Sequence, residues 1–248
     1  MGKTARILAV LAVFVFVFSV CGAADKEEGL VGYWSFDEGK GEEAADASGS
    51  GNKGTLIEEP TWIKGIKGSA LSFEGSGDYV EVEHSESLDL GREGQSYAIA
   101  FWYKNANQPQ ETTDSHFIIK DAWPYPFTIV QRSGSTVGVW TYDKITASSV
   151  GTKKSVIDGK WHYIVCMRDG ARKKLILYLD GKLEDAGDDK SEGDLNNEGV
   201  IKIGFGPGLD FDGCLDEVKI YNRLLTKEEM ASYYKSLNPN SVKANEGK

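Results

Sequence analysis

The chain has 248 residues, 40% hydrophobic and 27% charged, with a formal net charge of −10. That acidity, with no Lys/Arg cluster on a regular spacing, argues against a nucleic-acid partner or an anionic membrane surface, since both reward a positive patch. It suits an exported soluble protein, or one that holds a hard cation.

Lys3 and Arg6 open the chain on positive charge, Ile7 to Val20 is apolar, and Gly22, Ala23 and Ala24 are small. This is the order of a secretory signal peptide, so residues 1–24 are expected to be removed by cleavage after Ala24. The apolar run is shorter than the roughly 20 residues a helix needs to span a bilayer. No later segment is apolar enough to cross, and the mature chain is read as secreted or periplasmic. Cys21 leaves a lipoprotein as the alternative; Val20 stands before it, where a lipobox prefers Gly, Ala or Ser.

Residues 25–30 read as a short linker, 31–238 as one domain and 239–248 as a polar, disordered tail. Strands are expected at 31–36, 69–73, 78–83, 97–104, 116–120 and 126–132, then at 136–142, 161–168, 174–180, 200–204 and 214–221. Such a series, punctuated by Gly, Asp, Asn and Ser, indicates an all-β sandwich or barrel. Asp169-Gly170 and Asp180-Gly181 mark turns. WHYIVCMR alternates large and small residues, as a strand packed on both sides does. The Asp-, Glu-, Gly- and Asn-rich stretch 182–198 reads as a solvated loop. One helix is expected: Thr226 and Glu229 form a capping box, Met230, Tyr233, Tyr234 and Leu237 recur at helical spacing, and Pro239 ends it. Export permits a Cys166–Cys214 disulfide. Cys166, between Val165 and Met167, also suits a core position, and the two thiols are taken as unpaired.

Several segments in order carry a family likeness: YWSFDEGKG at 33–41, DASGSGNKGTL at 46–56 and GSALSFEGSGDYVEV at 68–82. IAFWYK at 99–104, DGKWHYIVCMRDG at 158–170, LILYLDGK at 175–182 and FDGCLDEVKIYNRLLTKEEM at 211–230 continue it. They resemble the laminin-G-like jellyroll domains of bacterial exported proteins, within the concanavalin A-like lectin/glucanase superfamily. The resemblance implies a two-sheet antiparallel jellyroll sandwich with one sheet concave, the first and last strands neighbours, and one short C-terminal helix. In the last strand, Leu215, Glu217, Lys219 and Tyr221 are expected to alternate with Asp216, Val218 and Ile220, with Asp216 at the strand's beginning.

The resemblance also implies a structural calcium ion tying the N-terminal segment to the last strand. Calcium takes six to eight oxygens. The candidates are Asp216 on the last strand, Asp46 and Asn52 on the Gly-rich loop, and Asp37 after YWSF. Each also has a purely structural role open to it, because Asp and Asn hydrogen-bond turn backbone. A catalytic zinc is not expected: His84, His116 and His162 are far apart and no HExxH or CxxC occurs.

Some members of that superfamily are glycoside hydrolases, which need two facing carboxyl groups. The Glu-x-Asp-x-x-Glu strand of the glucanase branch is absent. Glu81 and Glu83 share a strand face that reads as solvent-exposed, opposite Val80 and Val82. There is no Gly-x-Ser-x-Gly elbow, Cys166 lacks an activating neighbour, and GFGPG at 204–208 does not open a helix. No catalytic residue is assigned; a hydrolase or lyase is the least favoured reading.

Sugar sites use aromatic faces and a few polar groups. Trp123 and Tyr125 lie on a loop between strands, with prolines on either side of Tyr125. Trp140 and Tyr142 share a side of a nearby strand, and Arg132 or Lys120 supplies donors. Trp34, Trp102 and Trp161 are assigned to the core. The expected partner is a glycan or glycoconjugate bound by Trp123, Tyr125, Trp140, Tyr142 and Arg132; a protein partner on the same loops is the alternative.

Overall fold

The computed structural model describes residues 27–105, 115–132, 136–143, 145–205 and 211–238. The expected signal peptide, Cys21 and the tail 239–248 lie outside the described residues. In chain order the strands are β1 (Leu30–Trp34), β2 (Glu43–Ala44), β3 (Gly54–Ile57), β4 (Thr61–Lys64), β5 (Ser69–Glu74), β6 (Tyr79–Val82), β7 (Tyr97–Lys104) and β8 (Ser115–Lys120). There follow β9 (Tyr125–Arg132), β10 (Thr136–Tyr142), β11 (Ala147–Gly151), β12 (His162–Asp169), β13 (Lys174–Leu179), β14 (Lys182–Asp188), β15 (Ile201–Ile203) and β16 (Asp212–Tyr221), then helix α1 (Lys227–Leu237).

They form two eight-stranded antiparallel sheets, the expected sandwich. One runs β14-β13-β12-β7-β16-β5-β4 with β1 also on β16; the other runs β11-β10-β9-β8-β15-β6-β3-β2. First and last strands are neighbours, Trp34 opposite Val218.

Facing side chains of the two sheets, among them Trp34, Phe73, Phe101, Phe117, Phe127, Cys166 and Phe211, make one buried cluster. A second cluster covers the outer face of the first sheet, where Ala98, Ala100, Trp102, Tyr163, Val165 and Met167 meet Met230, Tyr233 and Tyr234 of α1. Central strands β7 and β12 are therefore buried on both faces, which is why they read as unbroken apolar runs. The helix has its capping box, with Thr226 Oγ1 accepting from Glu229 N and the Glu229 carboxylate accepting from Thr226 N. Trp102 stacks on Tyr234 with ring centroids 5.7 Å apart. Trp161 is half-buried at the edge of this layer.

Two expectations need correcting. The stretch 182–198 is not all solvated loop: Asp180 and Gly181, both at positive φ (52° and 74°), make a two-residue turn that sends β14 back along β13. Just beyond it, Asp189 is buried, accepting from Arg168 Nε at 2.6 Å and Thr141 Oγ1 at 3.0 Å. Second, β16 does not alternate through its length. A bulge lies between Asp216 and Lys219, with Glu217 at φ 52°. Asp216 is thus mid-strand, at the point where the partner on one side changes from β5 to β1. Leu215, Val218 and Ile220 face the core, while Asp216, rather than joining them, pairs with Trp102 on the outer face. Among the described residues, Cys166 and Cys214 are free thiols, the first buried and the second partly so.

Among the described residues, no helix is long and apolar enough to cross a membrane.

Candidate functional site

Helix α1 covers one sheet; among the described residues no α-helix lies on the outer face of the other. Directly paired residues project to the same side. The register therefore lays a row across five strands of that face: Lys202, Ile119, Thr128, Trp140 and Ser149. At its β9–β11 end the face carries a cavity of about 310 Å³. Trp123, Tyr125, Trp140 and Tyr142 line it together, with His116, Ile119, Thr128, Thr141 and Ala147.

Three rings form a corner. Trp123 meets Tyr142 edge-on at 4.6 Å and Tyr125 edge-on at 5.4 Å. Trp123 is 46% exposed, the most accessible large aromatic of the described chain. Its loop is pinned from outside the site: Asn197 Nδ2 donates to the carbonyls of Ala122 and Pro124, and Asp121 pairs with Lys202 at 2.8 Å. Trp140 and Tyr142, two apart on β10, border the cavity together, and a bulge that sets an extra β9 residue between their partners Thr128 and Tyr125 brings those two onto the same face. Thr141 between them is held from behind by Asp189, itself paired with Arg168.

Arg132 ends β9 and turns back across the face. A Cβ placed on Gly138 would meet Arg132 Cδ at 2.7 Å, and one on Gly151 would meet Nη1 at 3.0 Å, so these glycines give the side chain its bed. Its guanidinium carbon lies 5.9 Å from the centre of the Trp140 ring. Lys120, the other expected donor, lies elsewhere: fully buried, it donates to Leu88 O and pairs with Asp89 at 3.2 Å. Among the described residues, the side chains lining the cavity include no carboxylate.

The four residues expected at calcium do not form one donor set. Asp46 Oδ1 accepts from Tyr33 N and Ser48 N, and Oδ2 from Ser48 Oγ and Asn52 N, all within 3.0 Å. Asn52 Oδ1 accepts from Ser85 Oγ. These oxygens are committed to organising the loop. Asp37 accepts from Ser69 N and lies 3.7 Å from Lys67 Nζ, a cation. Asp216 Oδ2 accepts from Ile66 N and Lys67 N, and its Oδ1 is buried without a partner. Burial, with the Glu217 carboxylate beside it, pushes the Asp216 carboxyl up to about 8 against the opposing backbone N–H groups. Among the described residues, no three His, Cys, Asp or Glu side chains are grouped to hold a metal.

Glu217, unlike Asp216, is fully partnered. It accepts from Tyr33 and Tyr233 hydroxyls and from Lys67 Nζ at 2.9 Å, tying α1 to β1 and β16. Glu27, in the stretch read as a linker, accepts from Lys219 Nζ and Tyr221 OH.

The sequence reading missed the floor of the cavity, His116, Ile119, Thr128 and Thr141, and the pinning Asn197. The floor is assembled by register between strands, for which a single strand's pattern carries no signal. Asn197 had one faint mark, an Asn amid a run of acidic residues.

A family model described as the concanavalin A-like lectin/glucanases superfamily matches residues 74–231. The sushi, von Willebrand factor type A, EGF and pentraxin domain-containing protein 1 of Mus musculus is 25% identical over 173 residues, covering 66% of this chain and 5% of its own. Among solved structures, the binding domain of Paraclostridial Mosquitocidal Protein 1 superposes with a TM-score of 0.70 at 16% identity, over 84% of this chain and 52% of its own. The binding domain of Botulinum neurotoxin DC in complex with rat synaptotagmin II gives 0.71 at 13%, over 85% and 52%. The same domain in complex with SialylT gives 0.69 at 13%, over 85% and 52%. The chain thus spans about half of each solved chain and a small fraction of the mouse protein.

Proposed function

Because the chain belongs to the concanavalin A-like lectin/glucanases superfamily, we propose that it is an exported, non-catalytic module that binds carbohydrate through the aromatic cavity on its open sheet. The observation that carries this reading is the meeting of Trp123, Tyr125, Trp140 and Tyr142 around one cavity of about 310 Å³. Pyranose rings present apolar C–H faces, which pack on aromatic rings, while a few polar groups set orientation. Thr128 and His116 supply polar side chains in the lining. Hydrolysis would need two carboxyl groups flanking the bound sugar, and the lining has none. The toxin binding domain of the same fold, described in complex with SialylT and with synaptotagmin II, supports a binding role by analogy of fold.

A protein partner is the second reading, favoured by Ile145, which is 90% exposed on the β10–β11 turn just beyond Tyr142. A glycan-array screen of the mature protein, with and without calcium and beside Trp123→Ala, separates the two. Array binding abolished by Trp123→Ala is the expected result. A blank array from folded protein, with a partner recovered by pull-down and lost in Ile145→Ser, would overturn the glycan reading.

A further inference from the structure

Resting on the aromatic cavity as a glycan site, we propose that its ligand is an anionic glycan, a pyranose whose carboxylate or sulfate pairs with Arg132. Among the buried and half-buried cations of the described residues, only Arg132 and Lys104 make no ion pair, and Lys104 lies over Trp161, away from the cavity. Buried or half-buried Arg168, Lys120, Lys202 and Lys219 each pair with a carboxylate, at 2.6 to 3.2 Å. Among the described residues the Arg132 side chain forms no ion pair and no hydrogen bond; it lies over the face of Trp140. Asp185, which reaches this corner from β14, accepts from Gly151 N at 3.1 Å instead.

The guanidinium does not trail into solvent. Gly138 and Gly151 remove the side chains that would lift it, so it lies along the sheet beside the cavity. A planar guanidinium in that position matches the two-oxygen geometry of a carboxylate or sulfate. Trp140 Nε1 is buried with no partner; a Cβ on Gly138 would meet it at 3.2 Å and Arg132 Cδ at 2.7 Å, so the Arg132 methylenes cover it and the guanidinium is the donor left for a ligand. A neutral sugar would leave that charge without a counter-ion. A cationic ligand finds no carboxylate in the lining.

The test is an array of neutral, uronate-, sialate- and sulfate-bearing glycans, followed by calorimetric titration of the strongest binder in low and high salt. Wild type, Arg132→Gln, Arg132→Lys and Trp123→Ala are compared, with thermal melts to establish folding. The strongest binders should carry an anionic group. Arg132→Gln should weaken them by about tenfold and flatten the salt dependence, Arg132→Lys should fall between, and Trp123→Ala should abolish binding. Carboxyl-reduced and desulfated forms of the same glycan identify which anion is read. If neutral glycans bind as tightly through Trp123 and Arg132→Gln changes nothing, the anionic ligand is wrong while the aromatic site stands. If the folded wild type binds no glycan, both readings fall.

Discussion

Asn197 and Pro124 are joined by a 2.6 Å hydrogen bond from the Asn197 side-chain amide to the Pro124 carbonyl, and the same nitrogen donates to Ala122 O at 2.8 Å. The segment after β14 thus holds the Trp123 loop, although no side chain of that segment lines the cavity. Asn197 Oδ1 accepts from Gly199 N at 2.8 Å, so both ends of the amide are used.

Asn197→Asp keeps the acceptor and removes the donors, setting a carboxylate against two carbonyls. It should cost about 1–3 kcal/mol of stability. Trp123 should become more accessible to acrylamide quenching, and glycan affinity should fall without any change in the residues touching ligand. Unchanged quenching and affinity would show that the loop is held by its own packing.

The Arg168–Asp189 pair lies behind the cavity floor, its side chains 5% and 1% exposed. Asp189→Ala would leave a buried guanidinium without its counter-charge and Thr141 without its acceptor. The expected loss in urea unfolding is about 3–5 kcal/mol. A loss below 1 kcal/mol would mean that water enters and solvates Arg168.

His162 provides the pH dependence. Burial alone would depress its pKa, but hydrogen bonds and charge from Asp180, at 3.0 Å, and Asp158, at 3.1 Å, more than reverse this, so it is raised above 6.5. A raised folded pKa means that the native state binds the proton more tightly than the unfolded chain. The stabilisation is complete below the unfolded value and is lost as pH rises through the folded one. The stability difference between wild type and His162→Gln should therefore be largest near pH 5.5 and shrink toward pH 9. A difference that grows with pH would contradict the assignment.

Asp46 organises the loop after β1 by accepting four hydrogen bonds. Asp46→Ala should lower stability by about 2–4 kcal/mol, since it orphans several donors. The melting temperature of wild type should not respond to chelator. A chelator-sensitive wild type whose sensitivity disappears in Asp46→Ala would instead assign calcium to this loop.

What the sequence alone determined were the elements whose residues carry a strong local signal. The buried central strands announce themselves as apolar runs, and α1 is written into its capping box and the spacing of Met230, Tyr233 and Tyr234. The four cavity aromatics were legible too, because Trp123 and Tyr125 interrupt the strand pattern and Trp140 and Tyr142 stand two apart on one strand. The strands missed were β2, β3, β4, β11 and β14, of which β2, β4, β11 and β14 end their sheets. Edge strands bury one side and carry small or charged residues, as ASSVG and KLEDAGD do, which discourages further pairing and removes the apolar signal.

Tertiary structure alone decided the rest. Pairing register brought Ile119 and Thr128 under Trp140, and a bulge turned Asp216 away from the core face. Two glycines paired across β10 and β11 laid Arg132 beside the aromatic cavity. Each depends on which strand lies next to which, and hydrogen bonds between distant segments carry no trace in the pattern of either segment.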